Sequence, residues 1–338
     1  MAPVPVLVEM HPACEAHFAG QGHPERPDRM GAVRRGLEDT CRTEAATLVV
    51  PRRATRAELT RVHPAEIVDT IEHFCRNGGG RIDADTAVVP ASWEAAVVAA
   101  GAGLDAVERL RAGEADAAFI AVRPPGHHAT PERPMGFCLF NNVAVTAAAL
   151  AAQGEKVLIV DFDAHHGNGT QDIFYGDGRV TYVSLHQWPL YPGTGRVEET
   201  GTGDGVGATV NIPVPPGATG DVYLKALDEV VVPLAERNRP DWLMVSAGFD
   251  GHRADPLTDL QLSAGDFADM TARLASLVPP GRRLLVLEGG YDLDALTAST
   301  EGCLAALAGG ELHPEQPTAG GPGGEVVDRV RRVHLESK

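Results

Sequence analysis

Five times along this 338-residue chain a short run of aliphatic residues ends in a cluster of histidines, carboxylates or glycines. AFIAV (118–122) leads into RPPGHHA, VLIVD (157–161) into FDAHHGNG and VTYVSL (180–185) into HQW. The run 243–246 leads into AGFDGH, and LLVLE (284–288) into GGYD. Val6–Glu9 and Thr209–Val214 read as further strands. Such nearly continuous apolar runs suit strands buried on both faces of a parallel sheet. Helical patterns at 91–111, 141–153, 221–237, 264–278 and 293–308 fall between them. The alternation predicts a single α/β domain with a central, mostly parallel sheet flanked by helices on both faces. In such sheets ligands bind beyond the carboxyl ends of the strands, where all five polar clusters fall. The domain is expected over 1–308. A Gly/Pro-rich linker from 309 then leads to a charged terminal helix near 325–334.

Charge and composition narrow the function. A net charge of −17 argues against direct nucleic-acid binding, which needs clustered Lys and Arg. No apolar run reaches the roughly 18 residues of a membrane span, and MAPVPVLVEM lacks a basic leader. A cytoplasmic enzyme is the expectation, and a homo-oligomer is compatible with the sequence. Cys14, Cys41, Cys75, Cys138 and Cys303 show no C-x-x-C spacing, so they read as free thiols.

Asp163 and His165 lie two apart after a strand, which on extended backbone projects them to one side, with Asp161 beside or behind. Asp250 arrives from another strand end. Two carboxylates and one imidazole make a three-ligand site with an open position, the pattern of a catalytic metal. Zinc suits that set and ferrous iron competes; a metal-free Asp–His network is the alternative. His127 and His128, on a loop stiffened by Pro124 and Pro125, are candidates for general base and electrostatic stabiliser. Asp161 and Asn168 can orient them, and Gly167 and Gly169 are expected to bend the chain so that Asn168 reaches His128. His166 reads as a packed, hydrogen-bonded histidine. Tyr291, after Gly289 and Gly290, can hang over a pocket and donate to an oxyanion. Phe137 after Gly136, Trp188 and Tyr191 are expected to wall an apolar channel.

Together RPPGHHA, GFCLFNNVAV, VDFDAHHGNGTQDIFY, SLHQW…YPGTG, VSAGFDGHRADPL and LEGGYDL resemble the zinc-dependent histone deacetylase and acetylpolyamine amidohydrolase family, from about His11 to Leu307. The likeness is greatest to its class II branch and to bacterial deacetylase-like amidohydrolases. It implies an arginase-like fold and hydrolysis of an acylated amine, most simply N-ε-acetyl-lysine, with acetylpolyamines or small acylamines as alternatives. By the resemblance, Asp163, His165 and Asp250 bind zinc. His127 bonds to Asp161, His128 to Asn168, and Tyr291 polarises the carbonyl. Phe137 and Tyr191 form the acyl-lysine tunnel, and Arg29 sits where acetate leaves. Potassium is implied at Asp161, Asp163, His165, Ser184 and Leu185, and a second at Phe174, Asp177 and Val180. Leu257 stands where polyamine-selective relatives carry an acid. A dimanganese ureohydrolase on the same fold would need further carboxylates where this chain has Gly167 and His252. A catalytically silent acyl-lysine binding module would lack parts that are all present here.

Overall fold

The computed structural model describes residues 6–42 and 45–336, without the side chains of 39–42, so Cys41 lies outside the described side chains. Its strands are β1 (Val6–Glu9), β2 (Ala46–Val49), β3 (Gly80–Arg81), β4 (Ala87–Val88), β5 (Ala117–Ile120), β6 (Val157–Asp161), β7 (Val180–Gln187), β8 (Thr209–Val214), β9 (Trp242–Ala247) and β10 (Arg283–Leu287). Eight of them form one sheet in the order β2-β1-β5-β10-β9-β6-β7-β8, and every pairing in it is parallel. β3 and β4 make a separate antiparallel hairpin.

The helices are α1 (Ala13–Ala16), α2 (Asp28–Arg42), α3 (Arg56–Leu59), α4 (Ala65–Arg76), α5 (Ser92–Arg111), α6 (Asn142–Ala151), α7 (Asn168–Phe174), α8 (Gly220–Ala226), α9 (Val232–Asn238), α10 (Ala264–Ala275), α11 (Leu293–Leu307) and α12 (Gly324–Arg331). α5 packs across β1, β5 and β10, and α6 across β6 and β9, while α2, α10 and α11 pack on one another as a second layer. With helices on both faces, the inner strands are buried along their length, which is why their sequences carry no polar alternation.

The pattern 221–237, expected as one helix, is helical throughout but changes its winding part-way. A wider π-type turn at Leu227–Val231 separates α8 from α9, where Pro233 has no N–H to give to the preceding turn. Residues 309–323 are irregular but fastened. Glu315 Oε2 lies 2.6 Å from His252 Nε2, Thr318 Oγ1 donates to Asp266 Oδ2 at 2.7 Å, and α12 buries Val327 and Val330. Cys14, Cys75, Cys138 and Cys303 are buried free thiols. No described helix is long and apolar enough to cross a membrane.

Candidate active site

β6 stops at Asp161, and the chain beyond it is not extended. Asp161 Oδ1 accepts the N–H of Asp163 at 3.1 Å, and Asp163 Oδ1 accepts the N–H of His165 at 2.9 Å. Each aspartate folds the chain onto its own carboxylate, the local bonding that favours Asp in turns. Asp163 and His165 therefore meet through two successive turns, not through strand alternation. Asp250, from the end of β9, closes the group. His165 Nδ1 lies 2.8 Å from Asp250 Oδ2 and 3.2 Å from Asp163 Oδ1. Among the described residues these three offer ligand atoms within 4.8 Å of one another, all buried.

The donor set fits a cation on its own chemistry. Burial raises the Asp250 carboxyl, and the neighbouring Asp163 raises it further. Burial opposes ionisation of Asp163 too, but His127 and His165 outweigh it and hold its carboxyl low. Burial likewise disfavours a charged His165, yet Asp250 and Asp163 lift it to about 10. Two buried carboxylates thus draw a proton onto the imidazole between them, and a divalent ion would satisfy the same demand. The backbone leaves the carboxylates room: a Cβ on Gly289 would strike both Asp250 and Asp163.

Beside this group lie the two histidines of the loop after β5. His127 Nδ1 sits 3.0 Å from Asp161 Oδ2, and His128 Nδ1 sits 2.8 Å from Asn168 Oδ1. Their rings are 4.0 Å apart, and they are biased oppositely. Burial disfavours charge on His127, but Asp163 and Asp161 raise it well above its ordinary value. Burial, with the positive His127 and His165, pushes His128 well below. An uncharged asparagine at 168 cannot offset that push. A neutral His128 with Nδ1–H on Asn168 Oδ1 would carry no proton on Nε2. Glu288 Oε2 holds the loop by accepting the N–H groups of Gly126 (2.6 Å) and His127 (3.1 Å). Burial lifts that carboxyl to about 7.

Gly167 does not serve as a bend of unusual conformation, since its φ is −75°. Its need is space: a Cβ there would strike Asp161 Oδ2 and the Tyr182 hydroxyl. That hydroxyl donates to Asp161 Oδ2 at 3.0 Å. His166 is packed, 2.7 Å from Thr194 Oγ1 and 3.0 Å from Gln171 Oε1.

A channel of about 220 Å³ leads to the cluster, lined among others by Gly136, Phe137, Leu190, Tyr191, Leu257, Gly289 and Tyr291. Phe137 stands edge-on to Tyr291, with ring centroids 5.8 Å apart. Tyr191 stands edge-on to His128 at 5.1 Å. Phe137 takes φ 68°, a costly conformation for a bulky residue. Two neighbours between β3 and β4 hold it: Asp85 Oδ1 accepts the N–H of Gly136 (3.1 Å) and Thr86 Oγ1 that of Phe137 (3.0 Å). Asp85 also lines the channel. Sequence reasoning missed it, because an acid in a short RIDADT loop gives no local sign of where it docks.

Trp188 is a correction. It lies outside the channel, in a surface groove with Arg196 5.5 Å above its ring. β7 continues to Gln187, and the N–H of Trp188 pairs with Val214 O of β8 at 2.8 Å, which turns this residue along the sheet edge. Gly290 and Arg29 lie behind the channel wall. The Arg29 guanidinium donates to Gly290 O (2.7 Å), Glu288 O (2.6 Å) and Glu25 Oε1 (3.1 Å), with its Cζ 5.0 Å from the Tyr291 ring centre. Asp161 pairs in register with Ser184, which precedes Leu185. Phe174, Asp177 and Val180 bracket the turn from α7 to β7, where Phe174 O accepts Asp177 N–H at 2.9 Å. His252 turns to Glu315, so neither it nor Gly167 supplies a carboxylate for a second metal.

Comparison with known proteins agrees with this geometry. Residues 23–307 match the histone deacetylase domain. The chain is 41% identical over 303 residues to a protein named "Probable deacetylase" from Archaeoglobus fulgidus, covering 88% of this chain and 84% of that one. It is 39% identical over 279 residues to the histone deacetylase-like amidohydrolase of Pseudomonas aeruginosa, covering 81% and 73%. The crystal structure of the HDA15 HD domain matches with a TM-score of 0.90 at 37% identity, over 98% of this chain and 95% of that one. The parallel sheet is thus the arginase-like sheet implied by the motifs at its strand ends, and the chain that folds this way belongs to the histone deacetylase family.

Proposed function

We propose that this protein is a metal-dependent amidohydrolase that removes the acetyl group from an N-ε-acetyl-lysine side chain. The observation that carries the reading is the buried Asp163–His165–Asp250 group at the foot of a narrow channel, beside two histidines of opposite proton bias. Asp163, His165 and Asp250 would hold zinc, with ferrous iron suited to the same donors. The bound metal supplies Lewis acidity toward the amide carbonyl and the attacking water.

The chain's own residues do the rest. Phe137 and Tyr191 flank a slim alkyl stem and exclude water. His128 Nε2 takes a proton from the attacking water and returns it to the leaving amine. The Tyr291 hydroxyl donates to the carbonyl oxygen as charge develops there; burial keeps this phenol protonated, with Arg29 opposing only in part. His127, kept cationic by Asp163 and Asp161, stabilises the same charge. Arg29 anchors the loop behind, where acetate would leave. Potassium would sit by Asp161, Asp163, His165, Ser184 and Leu185, and a second by Phe174, Asp177 and Val180, where each carbonyl keeps a spare lone pair.

Leu257 in the channel wall gives no charge to pair with a polyamine's distal ammonium, which favours acetyl-lysine. Asp85 at the channel favours a cationic or N–H-bearing substrate. Acetate release should be measured from acetyl-lysine peptides, acetylpolyamines and longer acyl-lysine peptides, with and without chelator. Chelator-sensitive turnover, greatest on acetyl-lysine, is expected. Turnover unaffected by chelator, or none on any acylamine, would overturn the reading.

A further inference from the structure

Tyr291 follows two glycines, and Gly290 takes φ 115°, a conformation that leaves the backbone few restraints of its own. The tyrosine side chain offers little more. Its ring meets Phe137 edge-on and Arg29 across one face, and its hydroxyl has no hydrogen bond among the described residues. An oxyanion donor must nevertheless be aimed closely, since misplacement by 1 Å can cost about 10²-fold. Something other than the loop itself has to fix it.

The carboxylate of Asp255 is the group placed to do so. It is 6% exposed, and Oδ2 accepts the N–H of Tyr291 at 2.7 Å and that of Asp292 at 3.3 Å. Its other oxygen, Oδ1, accepts the N–H of Leu257 at 3.0 Å. No cation pairs with it among the described residues; burial and the neighbouring Asp250 raise this carboxyl to about 7, opposed only in part by the three backbone N–H groups it accepts. Leu257 and Tyr291 both line the channel, and one side chain ties the two together. On the other side Arg29 grips the carbonyl of Gly290, so the peptide before Tyr291 is clamped at both ends.

We propose that Asp255 is a positioning residue that aims the Tyr291 hydroxyl at the substrate carbonyl and locks that aim to the channel wall at Leu257. The inference rests on the donor role given to Tyr291 above. The Asp255 carboxylate has no hydrogen bond to the Asp163–His165–Asp250 group or to the histidine pair among the described residues, so removing the tie takes no contact from them. The loss therefore falls on the chemical step, not on substrate binding.

The test is a double-mutant cycle on the metal-loaded enzyme. Asp255→Asn replaces one accepting oxygen by a donor at nearly constant shape. It should lower kcat about 10- to 100-fold with KM changed less than about threefold and bound metal per chain unaltered. In a Tyr291→Phe background the same substitution should cost less than about twofold, because there is no hydroxyl left to aim. Full multiplication of the two losses, or a raised KM at unchanged kcat, would overturn the proposal. Should Asp255→Asn fail to fold, Asp255→Glu keeps the charge and acceptors but displaces them by a methylene, and is held to the same outcomes. Full activity in Tyr291→Phe alone would refute the donor role itself, a result distinct from any loss seen at Asp255, and the tie would fall with it.

Discussion

At the carboxyl end of the sheet Asp161, Asp163, His165, Asp250, His127 and His128 are all buried, at or beneath a channel of about 220 Å³. At the amino end of the same strands Lys156, Arg179 and Arg237 are exposed around a larger cleft of about 570 Å³. There Arg179 forks onto Asp177, and Arg111 and Arg282 share Glu155 beside Trp242. The larger cavity has the cheaper charges: exposed pairs cost little to form and contribute little. The smaller one holds charges that burial would forbid singly. Cavity size does not mark the site in this molecule. Convergent buried ionisable groups do.

That contrast can be broken at several points. The largest loss is expected from His128→Ala, which should lower turnover about 10²–10⁴-fold in a steady-state assay while leaving the melting temperature nearly unchanged. A residual rate within tenfold of the parent would remove His128 as the base.

Acid stability should also be governed from the carboxyl end. His63 Nδ1 donates to Thr130 O (3.1 Å), and its Nε2 accepts the N–H of Asn141 (2.9 Å), so a second proton has no room. Burial lowers it to about 4 against about 6.5 unfolded. Between those values the unfolded chain binds the extra proton, so stability falls as pH drops from about 6.5 to 4. The loss from this residue is on the order of 3 kcal/mol. Urea unfolding at pH 7 and 4.5 would show it, and His63→Gln should flatten that slope; an unchanged slope would refute the assignment.

Asn168→Asp sharpens the comparison within the site. A carboxylate at His128 Nδ1 favours the imidazolium, raising the histidine's pKa. A base must be neutral to act, so the acidic limb of the pH–rate profile should move to higher pH by about one unit or more. An unmoved limb would dissociate residue 168 from the base. The smallest effect is expected at the amino end: Arg179→Ala should change stability by less than about 1 kcal/mol and leave turnover unaltered. A large loss of activity there would abolish the contrast between the two ends.

What the sequence showed followed burial. The inner strands were readable because nothing polar interrupts them, and Asp163, His165 and Asp250 because carboxylates and imidazoles at strand ends have few structural reasons to be there. β2, with exposed Thr47 and Leu48, and the two-residue strands β3 and β4 lack that signature. α2 and α4 went unread among charged residues of the first third. Asp85 and Asp255 were invisible for another reason. Each acts by accepting N–H groups from a distant segment, a partnership that no local spacing records. Trp188 was misplaced because strand length, not composition, decides which way it turns.

The crowding around Gly167 bears on how this chemistry can change over time. Any side chain at 167 meets the Asp161 carboxylate, which bonds to His127, and the Tyr182 hydroxyl, which donates to that carboxylate. A carboxylate introduced there has to displace one of these groups, and with it the contact between Asp161 and His127. The ureohydrolase-like alternative, which needs that carboxylate for a second metal, therefore calls for rearrangement around Asp161 and Tyr182 as well as a substitution at 167. Packing around one hydrogen atom keeps the two chemistries from being neighbours in sequence space.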